Sequence, residues 1–183
     1  STGTRFGESF SLVSAVTLSD SVVYTNDTIT AVVTTDDADG DSVSIQYTWY
    51  VEGSAVAETG SSLDGATYFD KDQEVYVTVT PNDGSVDGSS LSSSSITVSN
   101  SAPEAPDLLI SPSSPEEQKD DLVCEVAVDS VDADGDSVTY SVSWDVDGAS
   151  HTGTTTGGLS GDTVSAADTV EGEVWTCTVT PTD

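Results

Sequence analysis

The chain has 183 residues, with 3 Lys and Arg against 33 Asp and Glu, for a net charge of -30. No cationic patch exists to neutralise phosphates, which excludes nucleic acid as a partner, and an anionic membrane surface repels such a chain. Hydrophobic residues make up 35%, but they fall in periodic runs, which argues for folded structure rather than disorder.

The length allows one large or two small domains. No apolar run is long enough to span a membrane. The chain begins Ser1-Thr2-Gly3-Thr4, with no Met and no visible signal peptide, which reads as a mature or excised segment. A surplus of negative charge makes a compact state repel itself. Bound divalent cations relieve that, and so does a saline medium that screens it. Asp outnumbers Glu and clusters with Gly in loops, which favours bound cations over habitat alone.

Residues 1–10 read as a leader or linker. A first repeat is expected over 11–100. Leu12, Val13, Val16 and Leu18 mark its first strand, and Ile29, Ala31 and Val33 its second. The acidic loop Asp37-Ala38-Asp39-Gly40-Asp41 follows. Next, Val43, Ile45, Tyr47, Trp49 and Val51 share one parity and Ser42 to Tyr50 the other, a period of two with one apolar face. Glu52-Gly53 turns the chain. Val75, Val77 and Val79 form a later strand, and a Ser-rich stretch leads to a last one at Ile96 and Val98. Residues 101–106 contain Pro103 and Pro106 and read as a stiff, extended linker.

A second repeat is expected over 107–183. Leu108 and Ile110 open it, and Leu122, Cys124 and Val126 match Ile29, Ala31 and Val33. The loop Asp132-Ala133-Asp134-Gly135-Asp136 repeats the first at an offset of 95 residues. Val138, Tyr140, Val142, Trp144 and Val146 repeat the Trp strand, and Asp147-Gly148 is a hairpin signal. Trp175, Cys177 and Val179 match Val75, Val77 and Val79. No counterpart of the strand at Ile96 and Val98 follows Asp183, so the second repeat reads as incomplete in this chain. Self-similarity on this scale is a domain array, not a solenoid.

Trp49 and Trp144 are the expected core residues. Cys124 and Cys177 stand at inward positions of two strands flanking the Trp144 strand. That Cys…Trp…Cys order is the one in which a bridge joins two sheets and the Trp packs on it. Closing the span stabilises by roughly 4 kcal/mol in the chain-entropy model. The alternative is two reduced core cysteines, and the acidic, secreted-looking composition favours the bridge. Three carboxylates at alternate positions, with a Gly for a sharp turn, suit a hard, oxygen-bound cation. Asp37, Asp39 and Asp41 form one expected calcium site, and Asp132, Asp134 and Asp136 the other. A bare solvated turn is the alternative.

Asp132 to Tyr140, with Trp144 and the closing Val179-Thr180-Pro181-Thr182-Asp183, resembles bacterial immunoglobulin-like, PKD-like and cadherin-like surface repeats over nearly the whole chain. The resemblance implies an all-β fold of two tandem immunoglobulin-like β-sandwich domains, the second lacking its last strand. It implies that the Asp loop joins the second and third strands. It also implies that Asp132, Asp134 and Asp136 face the joint between repeats alongside Asp183, with calcium stiffening it and Asp70-Lys71-Asp72 approaching from the other side.

The function expected is a non-catalytic extracellular structural or adhesive repeat, secreted or at a cell surface, with calcium as cofactor. Its expected partners are neighbouring repeats, other copies of itself, and a cell-surface or glycan ligand. A filament subunit completed by strand exchange is the alternative. A carbohydrate-binding module ranks lower, because Tyr50 is the only outward aromatic of the first Trp strand. An accessory domain of a secreted hydrolase ranks last. Asn26-Asp27-Thr28 is a glycosylation sequon. His151 reads as an exposed loop residue, and Lys71 and Lys119 as surface ion-pair partners.

Overall fold

Ile45, Tyr47, Trp49 and Val51 lie on one face of β3 (Ser44–Val51) because successive side chains of a strand point to opposite faces. Trp49 is fully buried at the centre of that face. The computed structural model describes residues 12–37, 42–84, 86–152, 154–156 and 162–183. The expected leader lies outside them. Contacts divide the chain into two units, Ser1–Ser101 and Ala102–Asp183, and both are built of antiparallel sheets packed as all-β sandwiches.

In unit 1, β3 pairs with β6 (Glu74–Asn82) from Ser44↔Asn82 to Val51↔Val75. The hairpin strand β4 (Ser54–Ala55) borders β3. The short strands β7 (Leu91–Ser92) and β8 (Ile96–Thr97) border β6. The facing sheet orders β1 (Leu12–Leu18), β2 (Thr28–Asp36) and β5 (Ser62–Asp64). A four-residue helix, α1 (Gly65–Tyr68), follows β5. Gly65 is required there, since a Cβ would lie 2.6 Å from the Phe69 ring and 2.7 Å from the Asp27 carbonyl. Thirteen buried apolar residues, among them Trp49, Ile29, Leu63, Val75, Val77 and Val98, form the core.

Unit 2 repeats the scheme with fewer parts. β11 (Thr139–Val146) pairs with β15 (Trp175–Thr182) from Thr139↔Thr182 to Val146↔Trp175, and β12 (Ala149–His151) borders β11. The facing sheet orders β13 (Thr155–Thr156), β14 (Asp162–Val164), β10 (Leu122–Val128) and β9 (Asp107–Ser111). Among the described residues nothing pairs with β15 on the side away from β11.

Among the described residues, Leu122, Cys124, Trp144 and Val164 are enclosed in the second core. Cys124 of β10 is bonded to Cys177 of β15, across the two sheets and next to Trp144, whose cross-strand neighbour is Cys177. Unit 1 has buried Ala31 and Val77 at the matching places and holds by packing. No described helix is long and apolar enough to cross a membrane.

The crosslink joins the two sheets of unit 2. Replacing Cys124 and Cys177 by Ala opens a bridge with a sequence separation of 53. That substitution is expected to lower the unfolding free energy of unit 2 by roughly 4 kcal/mol and to leave unit 1 unchanged. Guanidinium unfolding followed by tryptophan emission checks this.

Candidate metal centre

The second acidic loop curls around one carboxylate. Asp132 Oδ1 accepts the backbone N–H of Asp134 at 2.9 Å and that of Asp136 at 3.1 Å. The N–H of Gly135 donates to the Asp132 carbonyl at 3.2 Å. Gly135 sits at φ 76°, a left-handed conformation that glycine adopts without a Cβ clash. An Asp that takes backbone donors two and four residues on is a local alternative to regular structure, and these bonds shape the turn between β10 and β11.

The β11–β15 pairing then supplies a residue from far along the sequence. Because Thr139 pairs with Thr182, Asp183 emerges beside the loop as it feeds into β11. One carboxylate oxygen each from Asp132, Asp136 and Asp183 lie within 4.8 Å of one another. Asp132 and Asp136 are half-buried and Asp183 is exposed. Asp132 Oδ2 is enclosed and has no hydrogen-bond partner among the described residues.

Three like charges this close repel by about 1 kcal/mol per pair even at the dielectric of water, and by several-fold more where water is partly excluded. A buried polar atom without a partner adds a further cost. A divalent cation removes both. The donors are all hard oxygens, the set preferred by calcium and magnesium over zinc or copper. Calcium takes six to eight oxygens, so water and carbonyl oxygens must complete the shell.

Asp134 is not in the group. Its backbone N–H donates to Asp132 Oδ1. In unit 1, Asp39 and Asp41 lie outside the described residues. Asp37 lies at the end of β2 and Asp83 follows β6, where its Oδ1 accepts the N–H of Val86 at 2.8 Å.

Other sequence-derived candidates take these places. Trp144 is buried like Trp49. Asn26 is exposed in a turn at φ 72°. His151 differs from expectation. It belongs to strand β12, is half-buried, and packs edge-on against Trp175 with ring centroids 4.8 Å apart. The strand β12 was hidden because Ala-Ser-His carries no alternation. Lys119 pairs with Glu116 at 2.8 Å on the surface, and Lys71 donates to Asn100 Oδ1 at 2.9 Å. Tyr50 stacks on Tyr76, directly across in β6, with centroids 4.7 Å apart and planes 6° from parallel. Each ring therefore covers a face of the other, which takes away part of what a sugar-binding platform requires.

The chain matches no protein-family model, and no curated protein is similar enough to count as a relative.

The dual use of Asp132 separates two effects. Asp132→Ala strands two backbone donors and is expected to destabilise unit 2 by about 1–3 kcal/mol. Asp132→Asn keeps an acceptor oxygen for them and is expected to cost clearly less. Denaturant unfolding in a metal-free buffer compares the two.

Proposed function

We propose that this chain is a non-catalytic structural repeat of a secreted or cell-surface protein, a stalk or adhesin segment built from immunoglobulin-like units and stabilised by calcium. The observation that carries the reading is the meeting of Asp132, Asp136 and Asp183 around an enclosed, partnerless Asp132 oxygen. An ion held there ties the end of β15 to the loop between β10 and β11, so it braces one pole of a unit whose apolar core is small. The bridge between Cys124 and Cys177 supports an oxidising compartment. Calcium sites of extracellular modules have dissociation constants on the order of 10⁻⁴–10⁻³ M, a range that a partly exposed set of three carboxylates suits. A net charge of -30 also gives any divalent ion a long-range attraction towards the chain.

Thermal unfolding tests the reading. Calcium at a hundredfold excess over its Kd is expected to stabilise unit 2 by about 2.7 kcal/mol, and sodium chloride of equal ionic strength by much less. Asp136→Asn is expected to abolish the calcium-specific part. Identical melting of the wild-type chain in chelator and at that hundredfold excess of calcium would sink the proposal.

A further inference from the structure

The sequence holds three asparagines, Asn26, Asn82 and Asn100, all in unit 1. Two of them have committed carboxamides. Asn82 Nδ2 donates to Asp87 Oδ1 at 2.7 Å, and Asn82 Oδ1 accepts the Gly84 N–H at 2.7 Å. Asn100 Oδ1 accepts Lys71 Nζ at 2.9 Å, and Asn100 Nδ2 donates to the Ser101 carbonyl at 3.1 Å. Asn26 stands apart. It is exposed, and it alone is followed two places on by a hydroxyl residue, Thr28.

The turn that presents Asn26 is held by its own hydrogen bonds. The Asp27 N–H donates to the Tyr24 carbonyl at 3.1 Å, which closes a four-residue turn from Tyr24 to Asp27. Asn26, the third residue, sits at φ 72°, a left-handed conformation that asparagine tolerates better than most residues. Asp27 Oδ2 accepts the Tyr24 N–H at 2.9 Å, and the Asp27 carbonyl accepts the Gly65 N–H at 2.8 Å. Thr25, the second residue, is buried. Tyr24 also bridges Ser99 in parallel, which pins the start of the turn to the rest of unit 1. Thr28 opens β2 and is exposed.

The surface beside the turn is apolar. Val22 is 53% exposed and Tyr24 is 44% exposed, while Val23 between them is buried in the core. With Val23 inward, Val22 and Tyr24 are the outward residues of the chain entering the turn. The ring of Tyr24 has no aromatic partner among the described residues, unlike that of Tyr50, which Tyr76 covers.

We propose that Asn26 is the acceptor of an N-linked glycan and that the ring of Tyr24 is the floor for its first sugar. Asn-x-Thr is the triplet that asparagine-glycosylating transferases read. In the transfer, Asn26 Nδ2 attacks C1 of a sugar carried on a lipid pyrophosphate. The N–C1 bond forms and the C1–O bond breaks. The pyrophosphate leaves with the electron pair, and the amide gives up one proton. Donor and transferase belong to the secretory route, which the bridge between Cys124 and Cys177 also supports. A pyranose presents C–H groups on its face and hydroxyls around its edge. Laid on an exposed ring, it takes apolar surface of both partners out of water and leaves its hydroxyls wet. The tight turn supplies the reach, since its first residue carries the ring and its third the amide. The assignment rests on the secreted location proposed above and not on the metal.

The test secretes the whole chain from eukaryotic cells. This imposes the compartment, so a failure belongs to the site and not to the location. Peptide mass spectrometry is expected to find a glycan on Asn26 and none on Asn82 or Asn100. Thr28→Val keeps Asn26 in its left-handed turn and is expected to abolish occupancy. The same chain made in the periplasm of bacteria that lack the transferase gives the bare reference. Against it, the glycosylated chain is expected to melt higher in unit 1 by about 4 °C by calorimetry. Enzymatic trimming to the first sugar is expected to keep that gain. In Tyr24→Ser, occupancy is expected to persist and the gain to vanish, each form being compared with its own bare reference. An unmodified Asn26, or a glycan that persists in Thr28→Val, overturns the acceptor assignment. No gain, or a gain of the same size in Tyr24→Ser, overturns the part given to the ring.

Discussion

The register of β11 against β15 is the constraint from which the rest of unit 2 follows. Alternation places Trp144, Cys177, Val142 and Val179 on the inner face, and pairing Trp144 with Cys177 fixes every other pair along the two strands. A slip of one residue would turn that face to solvent. The same register sets Cys177 opposite Cys124 of the facing sheet and delivers Asp183 to the Asp132 loop. Core, crosslink and candidate metal group are thus three readouts of one alignment.

The two units solve the same problem with different means. Unit 1 encloses Val23, Val98, Leu63 and Phe69 in addition to its central strands. Unit 2 adds a covalent bond between its sheets, from Cys124 to Cys177. A crosslink acts mainly by restricting the unfolded chain, whereas burial acts by removing apolar surface from water.

The strands with strong alternation were legible in the sequence: β1, β2, β3 and β6 in one repeat, β9, β10, β11 and β15 in the other. The inward apolar residues of β3, β6, β11 and β15 share one parity, and the two copies corroborate each other; in β1 the buried Val13 and Val16 differ in parity because the register shifts between Val13 and Ala15. The short strands β4, β5, β7, β12, β13 and β14 were not legible. They are made largely of Ser, Thr, Ala and Asp, whose places are set by pairing to a neighbour rather than by a periodic face. The acidic group was half legible. Asp132 and Asp136 were marked by their spacing and Asp183 by the repeat alignment, but which carboxylates meet depends on the β11–β15 pairing that brings Asp183 to the loop. The Tyr50–Tyr76 stack depends on the register that sets the two residues opposite each other, which the alternation of either strand alone does not state.

Asp132 divides its labour between its two oxygens. Oδ1 is committed to the N–H groups of Asp134 and Asp136, and Oδ2 is left over. These bonds give the loop its shape without an ion, so a cation held there would need little ordering of the backbone. In such a preorganised cradle the conformational entropy that usually opposes ligation is lost during folding. Affinity would then be governed by charge and ionic strength, and release would not require the sandwich to open.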